Sequence, residues 1–294
     1  MSLGAKLAWD CACDLGEGAV WSVAQQALFF VDIHAGTVRM LAPQDGTRAQ
    51  WVLPQRVGWL VPRRAGGWIA GLQQGVVALA LAPDGRSEIT WLHRLHPEDS
   101  ELRLNDGKAD RWGRLWFGSM HNRMVPPAQG CLYRWQAGEA PAVVDTGYGV
   151  ANGPAISPDG SRLYHTDSPR RTIYVFDLAP DGALTNKRVW LTFERDEGFP
   201  DGMNFDADGH LWIAHWGGAC VTQRDAQGRV LQRIALPAAQ VSNLAFGGAR
   251  MQDLYITTAR NGLDADALAP TPAAGGLFVV HGAGQGLAPP ALAG

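Results

Sequence analysis

The chain has 294 residues, 46% of them apolar and 18% charged, and its 25 basic against 28 acidic side chains leave a net charge of −3. This balance, with no Lys/Arg run, gives no electrostatic footprint for nucleic acid or an anionic membrane. No apolar run approaches the ~18 residues of a spanning helix, and MSLGAKLAWDCACDLG lacks the basic and apolar regions of a signal peptide, so a cytoplasmic protein is expected.

The 36 Gly, 18 Pro and 12 Trp describe tight turns between short aromatic strands, and one pattern recurs along the chain. A Gly- or Asp-rich turn precedes an aromatic or apolar run six times: LFFVD at 28–32, WIAGL at 68–72, LWFGS at 115–119, LYHTD at 163–167, LWIAH at 211–215 and LYITT at 254–258. Starts 40 to 48 residues apart match four-stranded propeller blades, and no 3.6-residue stripe accompanies them.

In this frame each unit reads as four strands. Strand A is a short run such as GAVWS (18–22), GPAIS (153–157) or GMNFD (202–206), and strand B is the aromatic run. Strand C is TVRML (37–41), GVVAL (75–79), CLYRW (131–135), IYVFD (173–177), CVTQR (220–224) and GLFVV (276–280). Strand D occurs five times, from QWVLP (50–54) to VLQRI (230–234), and the sixth is missing. The unassigned KLAWD (6–10) supplies it, so the expectation is an all-β, six-bladed β-propeller closed by an N-terminal strand that completes the last blade. One domain is expected over 1–294, with a disordered tail from about 282 and a monomer in solution.

The A–B turns are short, whereas the B–C connections include MHNRMVPPAQG (120–130) and ARNGLDADALAPTPAAG (259–275), so function belongs on the face where each strand A begins. The residues at those six beginnings are Glu17, Val57, Asn105 or Asp106, Asn152, Asp201 and Asn243. Turn chemistry alone favours Asn and Asp, but oxygen donors converging on one channel suit a divalent cation with positions left open for water and substrate.

The motifs GEGAVW (16–21), RLNDGKAD (103–110), LWFGSMH (115–121), NGPAISPDGSRLYHTD (152–167) and FPDGMNFDADGHLWIAHWGG (199–218) resemble the family of gluconolactonases and regucalcin (senescence marker protein 30). They are especially similar to bacterial aldonolactonases that open pentonolactones such as xylonolactone. The resemblance implies metal-dependent hydrolysis of a sugar lactone to its aldonic acid, in bacterial pentose or hexose oxidation. It also implies one divalent ion (Ca, Zn, Mn, Mg or Fe(II)) on Glu17, Asn152 and Asp201, with Arg103 and Asn105 on the substrate. Asp201 is the candidate general base, and His121, at the start of the long third B–C loop, is a candidate substrate contact. Where some relatives carry an acidic pair in that loop, this chain has His121-Asn122-Arg123. Two other readings stay open: an esterase or phosphotriesterase-like hydrolase using the same metal, and a non-catalytic metal-binding scaffold.

Four further features stay outside the expected site. Ser157, Ser161 and His165 lie around an A–B hairpin without a GxSxG elbow, and His93 and His96 fall on an outer strand and its loop. Tyr148, Phe199 and Trp216 could wall the pocket against a sugar face, but blade packing accounts for most of the 12 Trp without a ligand, so they are left out of the expected site. Cys11 and Cys13 stand too close in sequence to bridge easily, and with Cys131 and Cys220 they form no zinc spacing, so idle thiols are expected.

Overall fold

The computed structural model describes residues 4–95, 98–124 and 126–293. His96, one of the two histidines read as surface residues, lies outside the described residues. Strand β1 (Lys6–Trp9) leads into a first antiparallel sheet of β2 (Gly16–Ser22), β3 (Ala27–Asp32), β4 (Thr37–Ala42) and β5 (Thr47–Val52). The second sheet holds β6 (Val57–Pro62), β7 (Trp68–Leu72), β8 (Gly75–Leu81) and β9 (Ser87–Arg94). The third holds β10 (Leu102–Ala109), β11 (Leu115–His121), β12 (Gly130–Trp135) and β13 (Ala142–Tyr148). The fourth holds β14 (Ala151–Ile156), β15 (Arg162–Asp167), β16 (Thr172–Leu178) and β17 (Leu184–Thr192).

The remaining strands are β18 (Phe199–Phe205), β19 (Leu211–Trp216), β20 (Cys220–Arg224), β21 (Val230–Ala235), β22 (Gln240–Gly247), β23 (Asp253–Ala259) and β24 (Leu277–Val280). With β1 they form one eight-stranded sheet, because β19 and β22 are joined at the single pair Trp216–Gln240. The result is an all-β, propeller-like arrangement, with β1 antiparallel to β24 so that the N-terminus completes the last group of strands. One four-residue helix, α1 (Ala265–Leu268), lies in the loop before β24. Among the described residues no helix is long and apolar enough to cross a membrane.

Burial explains the composition of each strand position. The first strand of a group is enclosed on both faces, as in β2, and reads as a run of small and apolar residues. The last strand, as in β5 and β21, is mostly exposed and carries Arg, Gln and Thr. Between neighbouring sheets a first-strand tryptophan packs on a second-strand aromatic: Trp59 lies tilted against Phe117 at 5.7 Å and Trp21 stacks on Tyr255 at 5.8 Å between centroids.

The first strands approach one another so closely that glycine is obligatory. A Cβ on Gly58 would lie 2.3 Å from the Asn105 carbonyl oxygen, and one on Gly202 would lie 2.5 Å from Asn243 Nδ2. Gly58→Ala is therefore expected to cost about 3 kcal/mol, the upper end for overpacking, and to displace Asn105. Chemical denaturation checks this; a variant within 0.5 kcal/mol (roughly the ordinary surface range) contradicts the close packing.

The tail corrects an expectation. Residues 282–293 are not disordered but run back across the molecule, Gly286 bridging Asp206 and Leu292 pairing parallel to Arg63. Leu292 is buried, and its amide donates to Pro62 O at 2.9 Å, so backbone pairing orders a segment with no apolar periodicity.

Candidate functional site

Every first strand is irregular at the same place. Register breaks fall between Glu17 and Val20, Val57 and Trp59, Leu104 and Gly107, Asn152 and Ala155, Pro200 and Met203, and Val241 and Asn243. A bulge re-aims the side chain at the break. The six positions expected to face the axis are those that sit at these breaks.

All are buried: Glu17, Val57, Asn105, Asp106, Asn152, Asp201 and Asn243. Arg103 Nη1 donates to Asn105 Oδ1 at 2.6 Å and to Leu104 O at 3.1 Å. Asn105 Nδ2 donates to Asn152 Oδ1 at 2.6 Å, and Asn152 Nδ2 donates to Ser168 Oγ at 2.9 Å. Ser168 Oγ donates to Pro200 O at 2.7 Å, which ties the strand carrying Asp201 to Asn152. On the other side Asn243 Nδ2 donates to Glu17 Oε2 at 3.0 Å and to Asp106 Oδ2 at 3.3 Å.

Three carboxylates thus share one enclosed volume, and their protonation reflects it. Burial, then the charge of Asp106, pushes Glu17 up to about 8. Burial raises Asp106 to about 6, although Lys108 opposes the shift. Asp201 is raised well above the usual range by burial and by Glu17 and Asp106, with Arg103 opposing. Burial also lowers Arg103 to about 10 against the pull of Glu17 and Asp201. Asp201 Oδ1 is buried with no hydrogen-bond partner, which is costly for a carboxylate oxygen unless a cation or water meets it. An oxygen-only donor set with an orphaned carboxylate oxygen fits a hard or borderline divalent cation.

His121 stands apart. It closes β11 opposite Leu102, and its Nδ1 accepts from Arg123 N of its own loop at 3.2 Å. Among the described residues no hydrogen bond joins it to the cluster. Beyond the metal and substrate ligands that the resemblance implies, the cluster includes Asp106, Asn243, Lys108 and Ser168. The first two had a signal, since they begin strands. Lys108, whose ammonium donates to Met203 O, and Ser168 had none. Below Asp106, Lys108 and Asn243 a cavity of about 390 Å³ opens toward the opposite face, bordered there by Leu287–Pro290.

A second acidic group, Asp206, Asp208 and His210, lies at the β18–β19 turn. Asp206 Oδ1 accepts from the amides of Asp208 (3.1 Å) and His210 (2.8 Å), and Oδ2 accepts from Trp212 Nε1 (2.9 Å) and Gln223 Nε2 (2.8 Å). Its oxygens are spent on shaping the turn. Asp110 does the same at the β10–β11 turn with Trp112 N, Arg114 N, Arg114 Nε and Trp116 Nε1.

Tyr148 is buried with its hydroxyl on Asp145, and Ser157 and Ser161 bond to Asp159 within their hairpin. His165 is fully buried against Tyr148, and burial lowers it to about 3.

These shifts set the pH response of the cation-free protein. Glu17 is raised from 4.5 to about 8, so its contribution to stability is full below 4.5 and is lost as pH rises to about 8. His165 is lowered from 6.5 to about 3, so its contribution is full above 6.5 and is lost on acidification. Between pH 6.5 and 8 the carboxylates dominate, and in chelator the Tm is expected to fall across that window. A saturating divalent cation abolishes the fall; a chelated Tm that rises with pH contradicts the shared carboxylate site.

Comparison with known proteins places the chain. A family model described as the SMP-30/Gluconolactonase/LRE-like region matches residues 15–260. The chain is 35% identical to a 6-deoxy-6-sulfogluconolactonase of Pseudomonas putida, over 95% of each protein. It is 35% identical to an L-arabinolactonase of Azospirillum brasilense, over 99% of this chain and 96% of that one. In structure it is similar to regucalcin, a calcium-binding protein of Agrobacterium tumefaciens, with a TM-score of 0.93 and 24% identity over 98% of this chain and 97% of that one. The last likeness establishes the fold, and the family model and the two lactonases establish the lineage: the chain belongs to the SMP-30/gluconolactonase/LRE-like family.

Proposed function

We propose that this chain is a cation-dependent aldonolactonase, opening the ring ester of a sugar lactone to the aldonic acid. The fold underlying this reading is a single-domain propeller of six blades, with the eight-stranded sheet counted as two blades joined at Trp216–Gln240. Its support is the cycle of inner strands, in which β2, β6, β10, β14, β18 and β22 each pack on the next and β22 returns to β2.

The observation that carries the chemistry is the unpartnered buried Oδ1 of Asp201 in the same enclosed volume as Glu17. Glu17, Asn152 and Asp201 would hold one divalent cation, with Ca, Mg, Mn, Zn and Fe(II) all compatible with oxygen ligands. A cation there supplies Lewis acidity toward the lactone carbonyl and acidifies water. Asp201 accepts the proton of the attacking water and returns it to the ring oxygen as the C–O bond breaks. Arg103, fixed through Nη1 on Asn105 and Leu104, directs its remaining N–H groups at substrate oxygens. Asn105 orients Asn152 and the substrate together, and His121 contacts substrate from the rim.

Acid release from arabinono-, xylono-, galactono- and gluconolactone, compared with aryl esters and a phosphotriester, tests the reading. Preference for the polyhydroxylated lactones is expected. Faster turnover of the aryl esters or the phosphotriester assigns the site to the esterase class instead.

A further inference from the structure

The connection from β1 to β2 holds Cys11 and Cys13, whose one-residue separation argued against any bridge. The backbone between them changes that expectation. Ala12 has φ +50°, a left-handed conformation that side-chain-bearing residues rarely adopt. It folds the segment so that Cys13 Sγ donates to Cys11 Sγ across 3.6 Å. The arrangement is held from outside: Cys13 N donates to Gly275 O at 2.8 Å, Cys11 Sγ donates to the same carbonyl at 3.2 Å, and Arg39 Nη1 donates to Cys11 O at 2.7 Å.

The two sulfurs are not equivalent. Cys11 is half-buried, and the bond from Cys13 and then the charge of Arg39 hold its thiol below the ordinary value against the opposing effect of burial. Cys13 is fully buried, and its thiol is raised by donating to Cys11 and by burial. One accessible sulfur with thiolate character beside a second, protonated sulfur is the arrangement of an attacking and a resolving thiol. Cys131 and Cys220 are likewise free, so they serve as internal controls.

We propose that Cys11 and Cys13 form a reversible disulfide on exposure to hydroperoxides, and that this bond shifts the strand carrying Glu17. The Cys11 thiolate attacks one peroxide oxygen; the O–O bond breaks, leaving a sulfenic acid on Cys11 and a hydroxide that takes up a proton to become water. The Cys13 sulfur then attacks the Cys11 sulfur, the S–O bond breaks, and the departing hydroxyl leaves as water with the Cys13 proton. Two thiols and one hydrogen peroxide yield one disulfide and two waters, with two electrons passing from sulfur to oxygen.

Bond formation requires the sulfurs to close from 3.6 Å to about 2.05 Å. The contraction falls next to the site. Gly16 directly precedes Glu17, and a Cβ on Gly16 would lie only 3.2 Å from Cys13 Cβ, so Cys13 packs directly against the start of β2. Weaker cation binding is the expected consequence.

The test treats the cation-loaded enzyme with hydrogen peroxide and follows intact mass, cation affinity by calorimetry, and lactone turnover. Loss of two hydrogens is expected at the peptide carrying Cys11 and Cys13, with cation affinity and turnover falling several-fold and returning with dithiothreitol. Cys11→Ser and Cys13→Ser each abolish the response, whereas the Cys131→Ser/Cys220→Ser double variant keeps it. The affinity and turnover arms rest on the proposed cation site and lactonase reading; the mass arm needs neither, so a formed disulfide is read independently of them. Absence of the mass loss, its persistence in Cys11→Ser, or a formed disulfide with unchanged cation affinity overturns the proposal.

Discussion

Asp201→Ala is expected to lower kcat for lactone opening by about 10²–10⁴, the range that general-base assistance supplies, while making the cation-free protein more heat-stable. The two effects have one origin. Asp201 is buried beside Glu17 and Asp106, which push its carboxyl well above the usual range, and its Oδ1 meets no donor. Removing it relieves repulsion and deletes an unsatisfied oxygen, so the folded state gains in chelator what catalysis loses. Arg103 then retains Glu17, the larger of its two opposing charges, as counter-charge. Turnover and calorimetry on the chelated variant check both signs. Near-normal activity removes Asp201 from the reaction, and a lower Tm shows that its carboxylate was stabilising the fold.

The second large effect concerns the strand that delivers Arg103, Asn105 and Asp106. Asp110, at its far end, is fully buried, and its Oδ2 lies 2.6 Å from Nε of the equally buried Arg114. Four donors converge on this carboxylate, two of them backbone amides of the turn into β11. Asp110→Ala leaves a guanidinium buried without its counter-ion, and breaking such a pair typically costs about 3–5 kcal/mol. The expected outcome in denaturant is a midpoint shift of that size, with activity lost as β10 loosens. The paired variant Asp110→Ala/Arg114→Met, which removes the stranded charge, recovers part of the stability. Equal loss in both variants assigns the effect to the turn amides and not to Arg114.

Much of this was legible from residues alone, and what escaped did so for physical reasons. Aromatic strands such as Trp68–Leu72 announce themselves, because β-propensity, burial and the bounding turns agree. The residues at the strand starts were also readable, since Glu17, Asn105, Asn152, Asp201 and Asn243 are polar where a strand buried on both faces has no other use for polarity. The bulges that turn them toward one another leave no periodic trace; only the adjoining glycines Gly18, Gly58 and Gly202 mark the close approach. Ser168 links Asn152 to Pro200 from a separate loop, a contact made by tertiary placement alone. The tail misled because Gly, Ala and Pro resemble a linker, while its order comes from backbone pairing to Asp206 and Arg63. The proximity of the cysteine sulfurs depends on one left-handed alanine, Ala12, which composition does not betray.

The measurement that tests the central claim most directly is a titration of chelator-stripped protein with a divalent cation, following acid release from an aldonolactone. The account predicts no acceleration over spontaneous opening before addition, a rise that saturates at one cation per chain, and no rise in Glu17→Gln. Full turnover by the stripped protein, or a cation response that survives Glu17→Gln unchanged, contradicts it.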